Sequence, residues 1–141
     1  MLALGTVQFG LPYGVANISG QVSSKEIQLI LATAKESGID TIDTAIAYGD
    51  SEKSLGEVGV DGWNIVTKIP EIPLLDSNLD IRKWLRHNIK ESLGRLNVTS
   101  IYGVLLHRPD QLNDFKYACV WDELQQLKDS GLIKNIGYSI Y

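Results

Sequence analysis

Cysteine is nearly absent: Cys119 is the only one in 141 residues. That excludes a disulfide framework and a cysteine-based zinc site. Basic excess is absent too. Thirteen Lys and Arg against seventeen Asp and Glu leave a formal net charge of -4. No basic face stands out to neutralise phosphates, so nucleic acid is not an expected partner. No apolar run reaches the ~18 residues that a membrane helix needs, and MLALGTVQFG has no basic stretch ahead of its short apolar run. Neither a membrane span nor a secretion signal is expected, and the default location is cytoplasmic. Histidine is limited to His87 and His107, too few for a metal-dependent barrel hydrolase, and no metal ligand is expected. Neither GxGxxG after the first strand nor GxxxxGK[ST] occurs, so neither phosphate-loop form of a doubly wound sheet is signalled.

What is present is periodicity. Short apolar runs at 2–6, 41–44, 63–69, 101–107 and 134–140 read as buried strands. Between them lie helical patterns. Ser23 precedes Glu26 by three residues, as in a capping box, and Ile27, Ile30, Leu31 and Ala34 follow at helical spacing. A short helix is expected at 51–58, starting with Ser51 and Glu52. Ile81, Leu85, Ile89 and Leu93 mark a third helix at 79–93, with Gly94 as its stop. Trp121, Leu124 and Leu127 mark a fourth at 120–130, closed by Gly131. The segment 8–22 reads as a loop.

Strands alternating with helices imply right-handed crossovers and a parallel sheet. The expected fold is α/β, a partial (β/α)8 barrel of about five parallel strands and four helices, in one domain spanning 1–141. A complete barrel has eight repeats and typically ~250 residues. Two consequences are expected. Strands one and five are open edges, and the helix-free face of the sheet is an apolar patch; self-association would cover both.

In such a barrel the chemistry sits at the C-terminal ends of the strands. Three ionisable residues fall there: Asp43, Lys68 and His107. Tyr48 lies in the loop after the second strand. Each has an ordinary structural reading: Asp43 as a loop cap, Lys68 as a solvated strand end, His107 as a hydrogen-bonded histidine, Tyr48 as a packing residue. Together they make a coherent proton donor. An ammonium beside a phenol favours the phenolate and makes the phenol a better acid. A carboxylate keeps the lysine charged and oriented, and a histidine can polarise a carbonyl. Such a group protonates a carbonyl oxygen while hydride arrives at carbon, and a nicotinamide cofactor must supply the hydride.

The order and spacing of several motifs resemble the aldo-keto reductases. They are Gly5-Thr6-x-x-Phe9-Gly10, Asp43-Thr44-Ala45-x-x-Tyr48-Gly49-x-Ser51-Glu52-x-x-Leu55-Gly56, Thr67-Lys68, Leu105-Leu106-His107-Arg108-Pro109 and Gly131-x-Ile133-x-x-Ile136-Gly137-x-Ser139. The resemblance spans the whole chain. It implies an NADP(H)-dependent oxidoreductase that reduces an aldehyde or ketone, a small-molecule substrate. Tyr48 is then the general acid, with Asp43, Lys68 and His107 as its partners. Thr6, Asp43 and Ser139 fall where the family contacts the nicotinamide end. The sequence departs from the family at Ile140, where many members have an asparagine that binds the carboxamide. The family's phosphate- and adenosine-binding positions lie on later strands, so the chain is expected to hold the N-terminal half of the barrel and only part of the cofactor site. Weak NADP(H) binding and little turnover are expected of these residues alone. The non-enzyme alternative is a half-barrel that binds or regulates, or an inactive fragment.

Overall fold

The computed structural model describes residues 2–15, 17–18 and 20–140. Strands and α-helices follow one another as β1 (Ala3–Gly5), α1 (Val7–Gly10), α2 (Ser24–Glu36), β2 (Thr41–Asp43), α3 (Ser51–Val58), β3 (Asn64–Ile69), α4 (Asn78–Leu96), β4 (Ile101–Leu106), α5 (Cys119–Asp129) and β5 (Ile133–Tyr138). The five strands form one parallel sheet in the order β1-β2-β3-β4-β5. This is the partial barrel that the alternation predicts, with β1 and β5 as its edges.

The strands are apolar because one face is sealed by helices. Ile42 and Ile65 share a row across the sheet, as do Thr67 and Val104, and Ile69 and Leu106. All six are buried. The five apolar ones pack with Ile27 and Leu31 of α2, Leu55 of α3, Ile81, Leu85 and Ile89 of α4, and Val120 and Leu124 of α5. The fully buried Ile81, Leu85 and Ile89 recur every four residues, so one stripe of α4 faces the sheet. Burial of each contributes about 2 kcal/mol.

The opposite face differs from expectation. Side chains alternate along a strand, so the register puts Gly5, Asp43, Val66, Gly103 and Asn135 in one row on that face, and Lys68, Leu105 and Gly137 in the next. It is therefore not an apolar patch. It carries glycines, an asparagine and an ion pair; of its larger apolar members Val66 and Leu105 are half-buried, and Ile101 and Ile133, two residues before Gly103 and Asn135, are buried.

Helix ends follow the sequence with one correction. Ser23 and Glu26 form the capping box of α2, and Gly38 and Gly131 lie past their helices at φ 76° and 80°. Gly94 does not stop α4. The helix runs to Leu96 and ends on Asn97, at φ 54°, since asparagine tolerates the left-handed conformation that a C-cap needs. Gly94 is an exposed glycine in the last turn of α4, and a Cβ there would meet nothing within 4 Å. Gly94→Ala is therefore expected to stabilise the fold by about 0.5–1 kcal/mol, read as a raised urea midpoint. A second correction concerns the segment 8–22. Its start belongs to the single helical turn α1, too short to show periodicity. Ala16 and Ser19, also read as loop, lie outside the described residues.

Two buried carboxylates fasten the helices. Glu123 of α5 is fully buried between Arg82 and Arg86 of α4. Burial alone would raise its pKa, but hydrogen bonds and charge from the two arginines hold it below the usual carboxylate value. The other, Glu52, lies at the start of α3. Trp84 packs against the core, whereas Trp121 is 40% exposed. No helix of the described residues is long and apolar enough to cross a membrane.

Candidate active site

The site begins where β2 ends. Beyond Asp43 the backbone stays against β3: the Thr44 N–H donates to the Val66 carbonyl at 2.8 Å, and the Ile46 N–H to the Lys68 carbonyl at 3.2 Å. The chain then turns. The Tyr48 N–H donates to the Ala45 carbonyl at 3.0 Å, and the Ser51 N–H to the Tyr48 carbonyl at 3.1 Å. Gly49, at φ 55°, supplies the left-handed step that lets α3 start at once. The segment between Asp43 and Tyr48 is thus held against β3.

The four residues singled out in the sequence meet there. Lys68 is buried, and its ammonium forms an ion pair with the half-buried Asp43 carboxylate. It also donates to the Thr44 carbonyl at 3.0 Å. Two of its three donors are thereby used. The ammonium stands 5.1 Å from the centre of the Tyr48 ring, within cation–π range. His107 approaches the same ring edge-on, with centroids 6.2 Å apart and planes at 80°. The backbone N–H of His107 donates to the Ile69 carbonyl at 3.0 Å, which continues the β3–β4 pairing past Leu106. Partial burial lowers the His107 pKa below its ordinary value, and the Lys68 and Arg108 charges add to the effect against the opposing pull of Asp43. That favours the neutral imidazole, whose ring carries one donor and one acceptor nitrogen.

A cavity of about 370 Å³ opens beside this group, lined by Ala47, Pro70, Glu71, His107 and Arg108. A larger hollow of about 540 Å³, between Gln8 and Glu26, contains none of the four residues.

Thr6 and Ser139 sit at the same rim in different settings. Thr6 is fully buried: its hydroxyl donates to the Asp43 carbonyl at 3.0 Å and receives the Ser51 hydroxyl at 3.0 Å. It offers no surface to a ligand and acts here on the backbone of Asp43. Ser139 follows β5, half-buried, with its N–H donating to the Leu106 carbonyl at 3.0 Å. Ile140 is 78% exposed.

Sequence reasoning missed three partners: the Thr44 carbonyl, the Ser51 hydroxyl and the Glu52 carboxylate. The sequence places Ser51 and Glu52 at a helix start, and they are there. Neither is a solvent-facing cap. Both are buried, and Ser51 bonds Thr6 and Thr44 in a closed hydroxyl cluster. The signal available was the pairing of Glu52 with Gly56 one helical turn on, which marks a face lying close against another element.

The family model for the aldo/keto reductases matches residues 1–141. The chain belongs to the aldo/keto reductase family. It is 33% identical over 122 residues to the methylglyoxal reductase DkgA of Yersinia pestis, covering 83% of this chain and 41% of that protein. It is 34% identical over 126 residues to the D-arabinose 1-dehydrogenase of Saccharomyces cerevisiae, covering 79% and 36%. Among solved structures, a protein of Pseudomonas aeruginosa assigned to the aldo-keto reductases superposes with a TM-score of 0.78 at 35% identity, over 97% of this chain and 54% of that one. An aldo-keto reductase of Bacillus halodurans, 21% identical with a TM-score of 0.69 over 98% and 45%, shares the fold. The chain thus spans about half the length or less of these relatives. Membership makes it kin to oxidoreductases of carbonyl compounds.

Proposed function

We propose that these residues form the proton-donating part of an NADP(H)-dependent reductase of small aldehydes or ketones. The observation that carries the reading is one lysine: Lys68 is paired with Asp43 and at the same time stands over the Tyr48 ring, with His107 edge-on to that ring. A carbonyl oxygen in the adjoining cavity would take its proton from the Tyr48 hydroxyl. Lys68 stabilises the phenolate left behind, in a setting where burial strengthens the interaction. Asp43 holds the Lys68 ammonium in place through the ion pair. Neutral His107 orients the carbonyl by a hydrogen bond.

Bound NADPH would supply the hydride. The open face fits a flat ring. At Gly5, beside Asp43, a Cβ would meet nothing within 4 Å, and Gly137 leaves the row of Lys68 without a side chain at β5. Asp43 and Ser139 are the polar groups that would hold the nicotinamide end, and Thr6 serves by fixing the Asp43 backbone. The remaining contacts to the cofactor would come from outside residues 1–141.

The test is an NADPH fluorescence titration of the complete gene product, with and without a panel of small aldehydes. Saturable binding with aldehyde-dependent oxidation of NADPH is expected. Binding without turnover would favour a regulatory half-barrel, and no binding would overturn the cofactor assignment.

A further inference from the structure

Asp43, Tyr48 and Lys68 are all tied to the first turn of α3, and the strongest tie is Glu52. Its carboxylate is 1% exposed. The Thr67 hydroxyl of β3 donates to one oxygen at 2.6 Å. The Ser92 hydroxyl and the Arg95 Nε, both of α4, donate to the other at 3.1 Å and 2.8 Å. The guanidinium completes an ion pair at 2.7 Å and is about one-third exposed. Thr67 and Ser92 are fully buried. One turn further along α3, a Cβ on Gly56 would lie 2.0 Å from the Arg95 carbonyl oxygen, so the helices touch backbone to backbone on this face.

We propose that Glu52 is a positioning residue for the proton transfer: it locks the strand that carries Lys68 to the helix that begins three residues after Tyr48. Thr67 precedes Lys68 and points to the opposite face of the sheet. A hydroxyl held by a carboxylate fixes the Thr67 peptide and with it the direction in which Lys68 leaves the strand. On the other side of the same turn, Ser51 holds Thr6, which holds the Asp43 carbonyl. The spacing of Lys68 to the Tyr48 ring is then set from α3. Helix packing alone does not need the charge, since buried ion pairs are often replaceable by apolar groups without loss of stability. This inference rests on the reading of Tyr48 as the acid.

The experiment compares Glu52→Ala, Glu52→Gln and Thr67→Val in the complete gene product. It measures kcat, KM for an aldehyde, the melting temperature, and protection of Lys68 from reductive methylation by mass spectrometry. Labelling reports on Lys68 without needing turnover. Glu52→Ala and Thr67→Val are expected to expose Lys68 to labelling and to lower kcat about 10- to 100-fold with KM within about threefold. Glu52→Gln, which keeps the Thr67 hydrogen bond, is expected to restore most of both. A folded Glu52→Ala or Thr67→Val protein with Lys68 protected and kcat intact would overturn the proposal, since a merely structural contact would move only the melting temperature. Thr67→Val changes one hydroxyl for a methyl and keeps the test decisive if Glu52→Ala does not fold. Undiminished turnover in Tyr48→Phe would count against the acid assignment instead, while the labelling result would still report on Glu52.

Discussion

Tyr48→Phe is expected to lower kcat for aldehyde reduction about 10³-fold, a loss of about 4 kcal/mol of transition-state stabilisation. The reason is specific to the hydroxyl. The ring of Tyr48 keeps its contacts with Lys68 and His107 in the variant, because both are made to the ring. Only the hydroxyl, and with it the proton to be donated, is removed. Affinity for NADPH is therefore expected to stay within about threefold, and KM for the aldehyde to change less than kcat, the pattern for an interaction made mainly in the transition state. The measurement is the rate of NADPH absorbance loss under saturating aldehyde, together with fluorescence titration of NADPH. A variant that turns over at the parental rate would show that another group, or water, donates the proton. Tyr48 is only partly buried, so a collapse of the fold is not expected to mask the result.

The parallel sheet is legible in the sequence because its causes are local. Strands sealed by helices must be short and apolar, and helices that cover them must repeat at three and four residues. The C-terminal ends of those strands then order Asp43, Lys68 and His107 along one rim. Less legible is everything that depends on the distance between backbones. The sequence marks Gly94 as a helix stop because glycine is common there, yet nothing in the sequence says that Asn97 can take the role three residues on. The inner face is misread when strand runs are counted as apolar without separating alternate residues. Once split by register, the rows on that face prove to hold Gly5, Gly103, Asn135 and Gly137. Glu52 is hidden for a related reason. A glutamate in a first helical turn is the ordinary complement of the helix dipole, and the one hint in the sequence that it faces inward is Gly56 one turn on, where α4 comes close.

Gly10→Ala tests how tightly the fold sets the donor, using a residue with no chemistry of its own. Gly10 ends α1 and is buried. A Cβ there would fall 1.8 Å from the Tyr48 carbonyl oxygen, 2.3 Å from the Ser51 nitrogen and 2.9 Å from the Asp50 nitrogen. Each is well short of the 3.4 Å at which ordinary contact begins. All three neighbours are backbone, so no flexible side chain can yield. The same crowding is seen from the other partner: a Cβ on Gly49 would lie 2.6 Å from the Gly10 carbonyl oxygen. The 48–51 turn is therefore expected to move outward in the variant, taking the Tyr48 ring away from Lys68 and His107. Misplacement on this scale is expected to lower kcat about 10²-fold, with a stability loss of about 1–3 kcal/mol from overpacking. Gly94→Ala is the matched control, the same substitution with the opposite expected sign on stability and no effect on kcat. If Gly10→Ala keeps both parental turnover and parental melting temperature, the α1–turn contact does not set the position of Tyr48. If it loses stability but keeps kcat, the turn relaxes without moving the hydroxyl, and the placement of the donor must then come from Ser51 and Glu52 at the start of α3.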